Sequence, residues 1–211
     1  TCVAPGDVVY VIGEGSEFGY VPNKVTRIDT KRDFAVTRLP QMIHKRSDHA
    51  SVIYRDYIYV IGDRDSSCER YSISLNEWEP LPSLPHTCSE ICLSVLESTS
   101  SLFAFGQYAT SPIQRLDLKT LTWEVMEVTF PPTKSFARVI FFKMGEDLIY
   151  LAREDGVYAY NPTSNSIEVI SKVELPRINE RACGRWFKGA LYFFQENDWG
   201  YEMKRLEFSL P

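Results

Sequence analysis

Three histidines carry all the imidazole in the chain: His44, His49 and His86, with Cys88 two residues past the last. Imidazole nitrogen and thiolate sulfur are donors that zinc favours, so a metal centre is the first chemistry to weigh. No carboxylate stands at a spacing that would orient these rings behind a metal. The five cysteines (Cys2, Cys68, Cys88, Cys92 and Cys183) form no C-x-x-C pair, and no metal site is expected. Acidic residues at Glu14, Glu17, Asp63, Asp65, Glu196 and Asp198 could supply the paired carboxylates of glycoside hydrolysis. Charged residues in turn-rich segments ordinarily serve solvation, however, and the S-x-D-x-G-x-x-W pattern is absent. The sequence also lacks G-x-S-x-G, a P-loop, H-E-x-x-H and G-x-G-x-x-G; Glu14-Gly15 follows an apolar run with one glycine too few for a nucleotide loop. Neither a catalytic residue nor a cofactor is expected.

Composition narrows the partner classes. Hydrophobic residues make up 44% and charged residues 24% of the 211, the balance of a chain that folds. Aromatics reach 13%, and each can bury about 150–250 Å², so aromatic packing must carry much of the core. A net charge of −5 without a Lys/Arg-rich run excludes the footprint of a nucleic-acid binder. No apolar run approaches the ~20 residues of a membrane-crossing helix. Scattered cysteines, odd in number, and the lack of an N-x-S/T acceptor point to reduced thiols in the cytoplasm.

Any site must be positioned by a repeated element. A short apolar run recurs five times, at Val8–Gly13, Tyr57–Gly62, Ser101–Gly106, Leu148–Arg153 and Ala190–Gln195, every 42–49 residues. A second run follows at Arg27–Asp29, Arg70–Ile73, Arg115–Leu118 and Tyr158–Asn161. Then come a polar turn and a large apolar residue predicted to open a third strand: Phe34, Trp78, Trp123 and Ile167. Prolines close the units, and the next unit opens on its own strand, such as Ala50–Tyr54 or Ile91–Val95. No segment has helical periodicity, so the chain is expected to be all-β. The first run of each unit is apolar throughout. A strand with one wet face alternates, whereas one covered on both faces does not. Gly13, Gly62 and Gly106 are expected where such strands bend, and Trp78 and Trp123 are expected to wedge between neighbouring sheets.

One stretch carries a resemblance. Arg46-x-x-His49-Ala50-Ser51-Val52-Ile53-Tyr54-x-x-Tyr57-Ile58-Tyr59-Val60-Ile61-Gly62, followed by Glu69-Arg70-Tyr71-Ser72 and Asn76-Glu77-Trp78-x-x-Leu81-Pro82, resembles a Kelch repeat. The third unit resembles it through Leu102-Phe103-Ala104-Phe105-Gly106 and Trp123. The family's double glycine is reduced to one in three units and is missing from the last two. The resemblance implies a β-propeller, with four to five four-stranded antiparallel blades visible. It also implies that His49 packs as an ordinary repeat residue. The units run over 1–45, 46–86, 87–133, 134–178 and 179–211, with the first and last incomplete. Pro5 and Gly6 leave no expected room for a strand ahead of Val8, and an outer strand is due where the chain stops. A six-bladed ring on a longer protein would reconcile these ends; the alternative is a closed five-bladed ring with two incomplete blades.

The Kelch resemblance implies a protein-interaction or scaffold module, with partners such as cytoskeletal proteins or a larger assembly. Joined to a BTB or F-box domain, such a module recognises ubiquitin-ligase substrates. Galactose-oxidase-like and sialate-epimerase-like propellers are the enzymatic alternative. Counted from the strand that opens each four-stranded unit, the apolar run is the second strand; loops between second and third strands so counted, and links between units, should share one face. Phe18, Tyr20, Arg46, Arg64, Tyr108, Arg177, Arg181 and Trp199 are the candidate partner contacts there, since Arg, Tyr and Trp dominate interface hot spots; the alternative for Arg46 and Arg181 is that they order the links between units through backbone carbonyls. If Trp78 wedges between sheets, Trp78→Ala costs about 3–5 kcal/mol, read as a lower melting temperature; an unchanged one contradicts the wedge.

Overall fold

Apolar runs covered on both faces need a sheet on either side, and the chain supplies these sheets in series. A computed structural model describes residues 2–4, 6–13, 23–46, 49–62, 66–88, 91–106, 111–128, 140–143, 147–153, 155–172, 184–197 and 200–207. Among them there are nineteen strands and no helix. The first sheet holds β1 (Cys2–Ala4), β2 (Val8–Ile12), β3 (Val25–Asp29) and β4 (Ala35–Leu39). The second holds β5 (Ala50–Tyr54), β6 (Tyr57–Ile61), β7 (Cys68–Ser72) and β8 (Glu77–Leu81). The third holds β9 (Ile91–Leu96), β10 (Ser101–Gly106), β11 (Ile113–Asp117) and β12 (Thr122–Met126). The fourth holds β13 (Ile140–Lys143), β14 (Ile149–Arg153), β15 (Gly156–Asn161) and β16 (Ser166–Ser171). The fifth holds β17 (Gly184–Phe187), β18 (Ala190–Asn197) and β19 (Gly200–Leu206). Every sheet is an antiparallel meander in chain order.

First strands of consecutive sheets adjoin without sharing a ladder: β1 lies by β5, β5 by β9, β9 by β13 and β13 by β17. Four apolar clusters fill the spaces between consecutive sheets. Tyr10, Ile12 and Val25 meet Ile58, Val60 and Tyr71. Tyr59, Ile61 and Cys68 meet Leu102, Ala104 and Leu116. Phe103, Phe105 and Ile113 meet Ile149, Leu151 and Tyr160. Tyr150, Ala152 and Ala159 meet Leu191 and Phe193. Alternate residues of β6, β10 and β14 therefore point into two different cores, which is why these strands read as unbroken apolar runs. These are the blades of a β-propeller, packed face to face.

Two local expectations fail. The first sheet has its inner strand: Cys2, Val3 and Ala4 pair with Tyr10, Val9 and Val8. Gly6 (φ 94°) and Asp7 (φ 68°) are the turn of that hairpin. Glycine adopts positive φ at least cost, so Gly6, read as a breaker, is part of the connection itself. Phe34 opens no strand. It sits in the β3–β4 turn at φ 54°, 65% exposed, and Val36 takes the register position opposite Ile28. That turn is one residue longer than its counterpart, where Tyr71 faces Trp78 directly.

The turn itself is a repeated device. Asp33, Asn76, Leu121 and Asn165 all adopt left-handed backbone, with φ of 50°, 57°, 57° and 52°. Each turn also opens on a side-chain acceptor. Asp117 Oδ1 takes the amides of Lys119 and Thr120 at 2.7 and 3.1 Å, and Asn161 Oδ1 takes that of Thr163 at 2.9 Å. In two sheets the left-handed Asn also accepts a tyrosine hydroxyl: Tyr71 to Asn76 at 2.6 Å and Tyr160 to Asn165 at 3.0 Å.

Tyr160 is fully buried, edge-on to Phe103 at 6.0 Å. Burial pushes its hydroxyl up to about 12; nearby Arg115 pulls the other way and Glu124 adds to the rise. Because the folded value lies above the unfolded one, this stabilisation is complete below about pH 10 and is lost as pH rises towards about 12. Alkaline unfolding followed by circular dichroism should thus shift to higher pH in Tyr160→Phe, relative to each protein's stability at pH 8. An unshifted transition contradicts this role.

Candidate interaction face

At the first two junctions, among the described residues, the link between sheets meets the loop between second and third strands. Arg46, in the link from the first sheet to the second, donates through Nη1 to the carbonyls of Gly62 and Ser67 at 2.6 and 2.7 Å. Leu84, in the next link, donates its amide to Ser66 O at 2.9 Å. One β6–β7 loop therefore touches both links, as the topology requires. The first link repeats the pattern with its own loop, Met42 N donating to Asn23 O at 2.9 Å.

Of the two readings of Arg46, a partner contact on the rim or an organiser of the link through backbone carbonyls, the hydrogen bonds fit the second. Arg46 is fully buried, as is its partner Glu69 of β7, and the two pair at 2.9 Å from Nε to Oε1. Its charge and fork of donors organise the loop from inside; they are not presented to a partner. Glu69 does more than neutralise it, accepting the link amides of Ile43 at 2.7 Å and His44 at 3.2 Å. The same position in the third sheet is Gln114, also fully buried. It accepts the amide of His86 at 2.8 Å and donates to the carbonyl of His86 at 2.9 Å and to Cys88 Sγ at 3.3 Å. Burial pushes the Cys88 thiol up, against the pull of Gln114. Glu69 and Gln114 are the residues that sequence reasoning passed over. Their signal was a polar side chain one place inside the start of β7 and of β11.

Two indole nitrogens secure the starts of the first two links. Trp78 donates to Pro40 O at 2.9 Å and Trp123 to Pro82 O at 2.8 Å. Both rings, half-buried, pack against the core shared with the preceding sheet, as expected of wedges. Gly13 (φ 69°) and Gly62 (φ 84°) do turn the chain in the left-handed region. A methyl at Gly13 would sit 2.6 Å from the His49 ring, and one at Gly62 2.9 Å from Ile91. Each glycine thus seats a residue of the following unit. Gly106 differs: it is extended within β10, and its constraint is the close approach of Ser111.

Phe18, Tyr20, Arg64, Tyr108, Arg177, Arg181 and Trp199 lie outside the described residues. The histidines do not converge: His44 adjoins Glu69, His49 packs on Gly13, and His86 sits in the next link. Among the described residues no three metal-ligating side chains gather.

Residues 45–85 match the Kelch motif. The match covers the second sheet together with Arg46, Glu69, Gly62 and Trp78, so the second sheet is a match to one Kelch repeat. No curated protein matches the chain. A Kelch repeat marks a protein-interaction module in general, and Kelch proteins are usually not enzymes.

Removing Glu69 leaves a buried guanidinium unpaired. Glu69→Ala should cost about 3–5 kcal/mol in urea unfolding, and combining it with Arg46→Met should cost less than the sum of the two. A loss below about 1 kcal/mol contradicts the anchoring role.

Proposed function

We propose that this chain binds a partner protein through the face made by its inter-sheet links and its loops between second and third strands. One observation carries the reading. The first link holds Ile43 half in solvent, 50% exposed, on a backbone whose amides at Ile43 and His44 are fixed by buried Glu69. An exposed aliphatic side chain on a pre-ordered backbone loses little entropy on binding. The neighbouring link presents His86 in the same way, held by Gln114. The Kelch match supports a protein as the ligand.

Phe18, Tyr20, Arg64, Tyr108, Arg177, Arg181 and Trp199 belong to the same proposal, since each falls in sequence between second and third strands or between sheets. A scaffold role follows, and no catalytic step is needed. The buried Cys88 thiol, which has no disulfide, supports a reducing, cytoplasmic setting.

Leu75 provides the control. It is 65% exposed in the β7–β8 turn, at the opposite ends of the strands. In affinity capture from native extract, Ile43→Asp should lower recovery of bound protein by about tenfold or more, the scale of a hot-spot loss, while Leu75→Asp leaves it intact. Retained capture by Ile43→Asp with loss in Leu75→Asp would move the binding face to the other side.

A further inference from the structure

Stacking covers the faces of a sheet and leaves its outer edge open. First strands adjoin from sheet to sheet, so the fourth strands β4, β8, β12 and β16 form the rim, each with unpaired backbone groups along one side. Such an edge invites pairing by another strand unless charge or proline guards it. Register shows the guard. Glu79 of β8 stands opposite Arg70 and pairs with it at 2.6 Å, and Glu124 of β12 stands opposite Arg115 at 3.6 Å. Glu168 holds the same place in β16, opposite Ala159. Pro80 guards β8 a second time by removing a donor. In β4 the place belongs to Thr37, opposite Arg27. Ala35, Val36, Thr37 and Arg38 are all exposed, and β4 holds β-branched residues but neither carboxylate nor proline. Arg27 turns to Asp29 on its own strand, through Nη2 at 3.2 Å, and its Nε and Nη1 bond nothing among the described residues.

We infer that β4 is a docking edge, and that its occupant is an extended segment of a partner protein with a carboxylate at the residue facing Thr37. The added strand supplies the missing ladder, since every second residue of an edge strand offers its N–H and C=O outward. Its acid supplies the missing guard. Two strand spacings, about 10 Å, separate the backbone at Arg27 from that of the added strand. An arginine and an acidic side chain together bridge that gap over the short side chain of Thr37. A recess of about 50 Å³ at the end of β4, lined by Lys24, Thr26, Arg38 and Gln41, brings two more cations to the same edge. Charge also decides against self-pairing, because a second copy of β4 brings another arginine and no acid. The inference stands apart from the face made by the links and from whatever binds there.

Titration of the isotope-labelled protein with the blocked peptide Ser-Val-Thr-Glu-Thr-Val-Ser, followed by nuclear magnetic resonance, tests it. Amide signals should move along Ala35–Leu39 and stay in place along Glu77–Leu81 and Thr122–Met126. Lysine in place of the peptide's glutamate should weaken binding by about tenfold. Thr37→Glu installs the carboxylate that β8 and β12 carry, so this variant should keep its melting temperature and bind the acidic peptide about tenfold more weakly. No movement in β4 at millimolar peptide, equal binding of the two peptides, or undiminished binding by Thr37→Glu overturns the inference. So does movement of the β4 signals with protein concentration in the absence of peptide, since a second copy would then be the occupant.

Discussion

The second, third and fourth sheets are apolar on both sides, and that condition governs the rest. A lone sheet of four short strands could not keep two apolar faces dry, so its neighbours in sequence must cover them. The sheets consequently stack through their faces, with first strands side by side and a separate core in every gap. Stability is distributed over these junctions and does not reside in one central cluster, as in other repeat architectures.

Stacking sheets creates a second problem, because the connection between one sheet and the next must cross the end of the junction. Its backbone amides enter partly dry surroundings and need partners. Buried side chains of the receiving sheet supply them, Glu69 in one case and Gln114 in the next. The negative charge at Glu69 is tolerated because Arg46 lies against it, and Arg46 in turn satisfies two loop carbonyls. The neutral amide of Gln114 does the same job with no counter-ion. Order in the links is thus a by-product of packing, and it leaves their outward side chains, Ile43 and His86 among them, displayed on a rigid base.

Much of this was legible beforehand. Period, strand order, the apolar central strands and the tryptophan wedges all followed from residue types, because each reflects local propensity or burial on two faces. What escaped reading depended on context. Pro5 and Gly6 look like strand breakers, yet Gly6 and Asp7 make a hairpin turn whose left-handed pair only the paired register reveals. Phe34 mimics Trp78 in spacing but falls in a turn one residue longer, and a single insertion reverses which side chain faces the core. Arg46 has the chemistry of an interface residue. Its burial was set by a carboxylate 23 positions away, a distance in sequence over which no pattern rule reaches.

Contacts across the junctions test the account most directly. In a methyl- and aromatic-labelled sample, nuclear Overhauser effects should link Tyr59 and Ile61 of β6 to Leu102 and Ala104 of β10, while Ile58 and Val60 of the same strand show theirs to Tyr10 and Ile12 of β2. A single strand sending alternate residues into two different sheets is what the stacked arrangement predicts. Ladder contacts within the sheets, without either set across them, would contradict it.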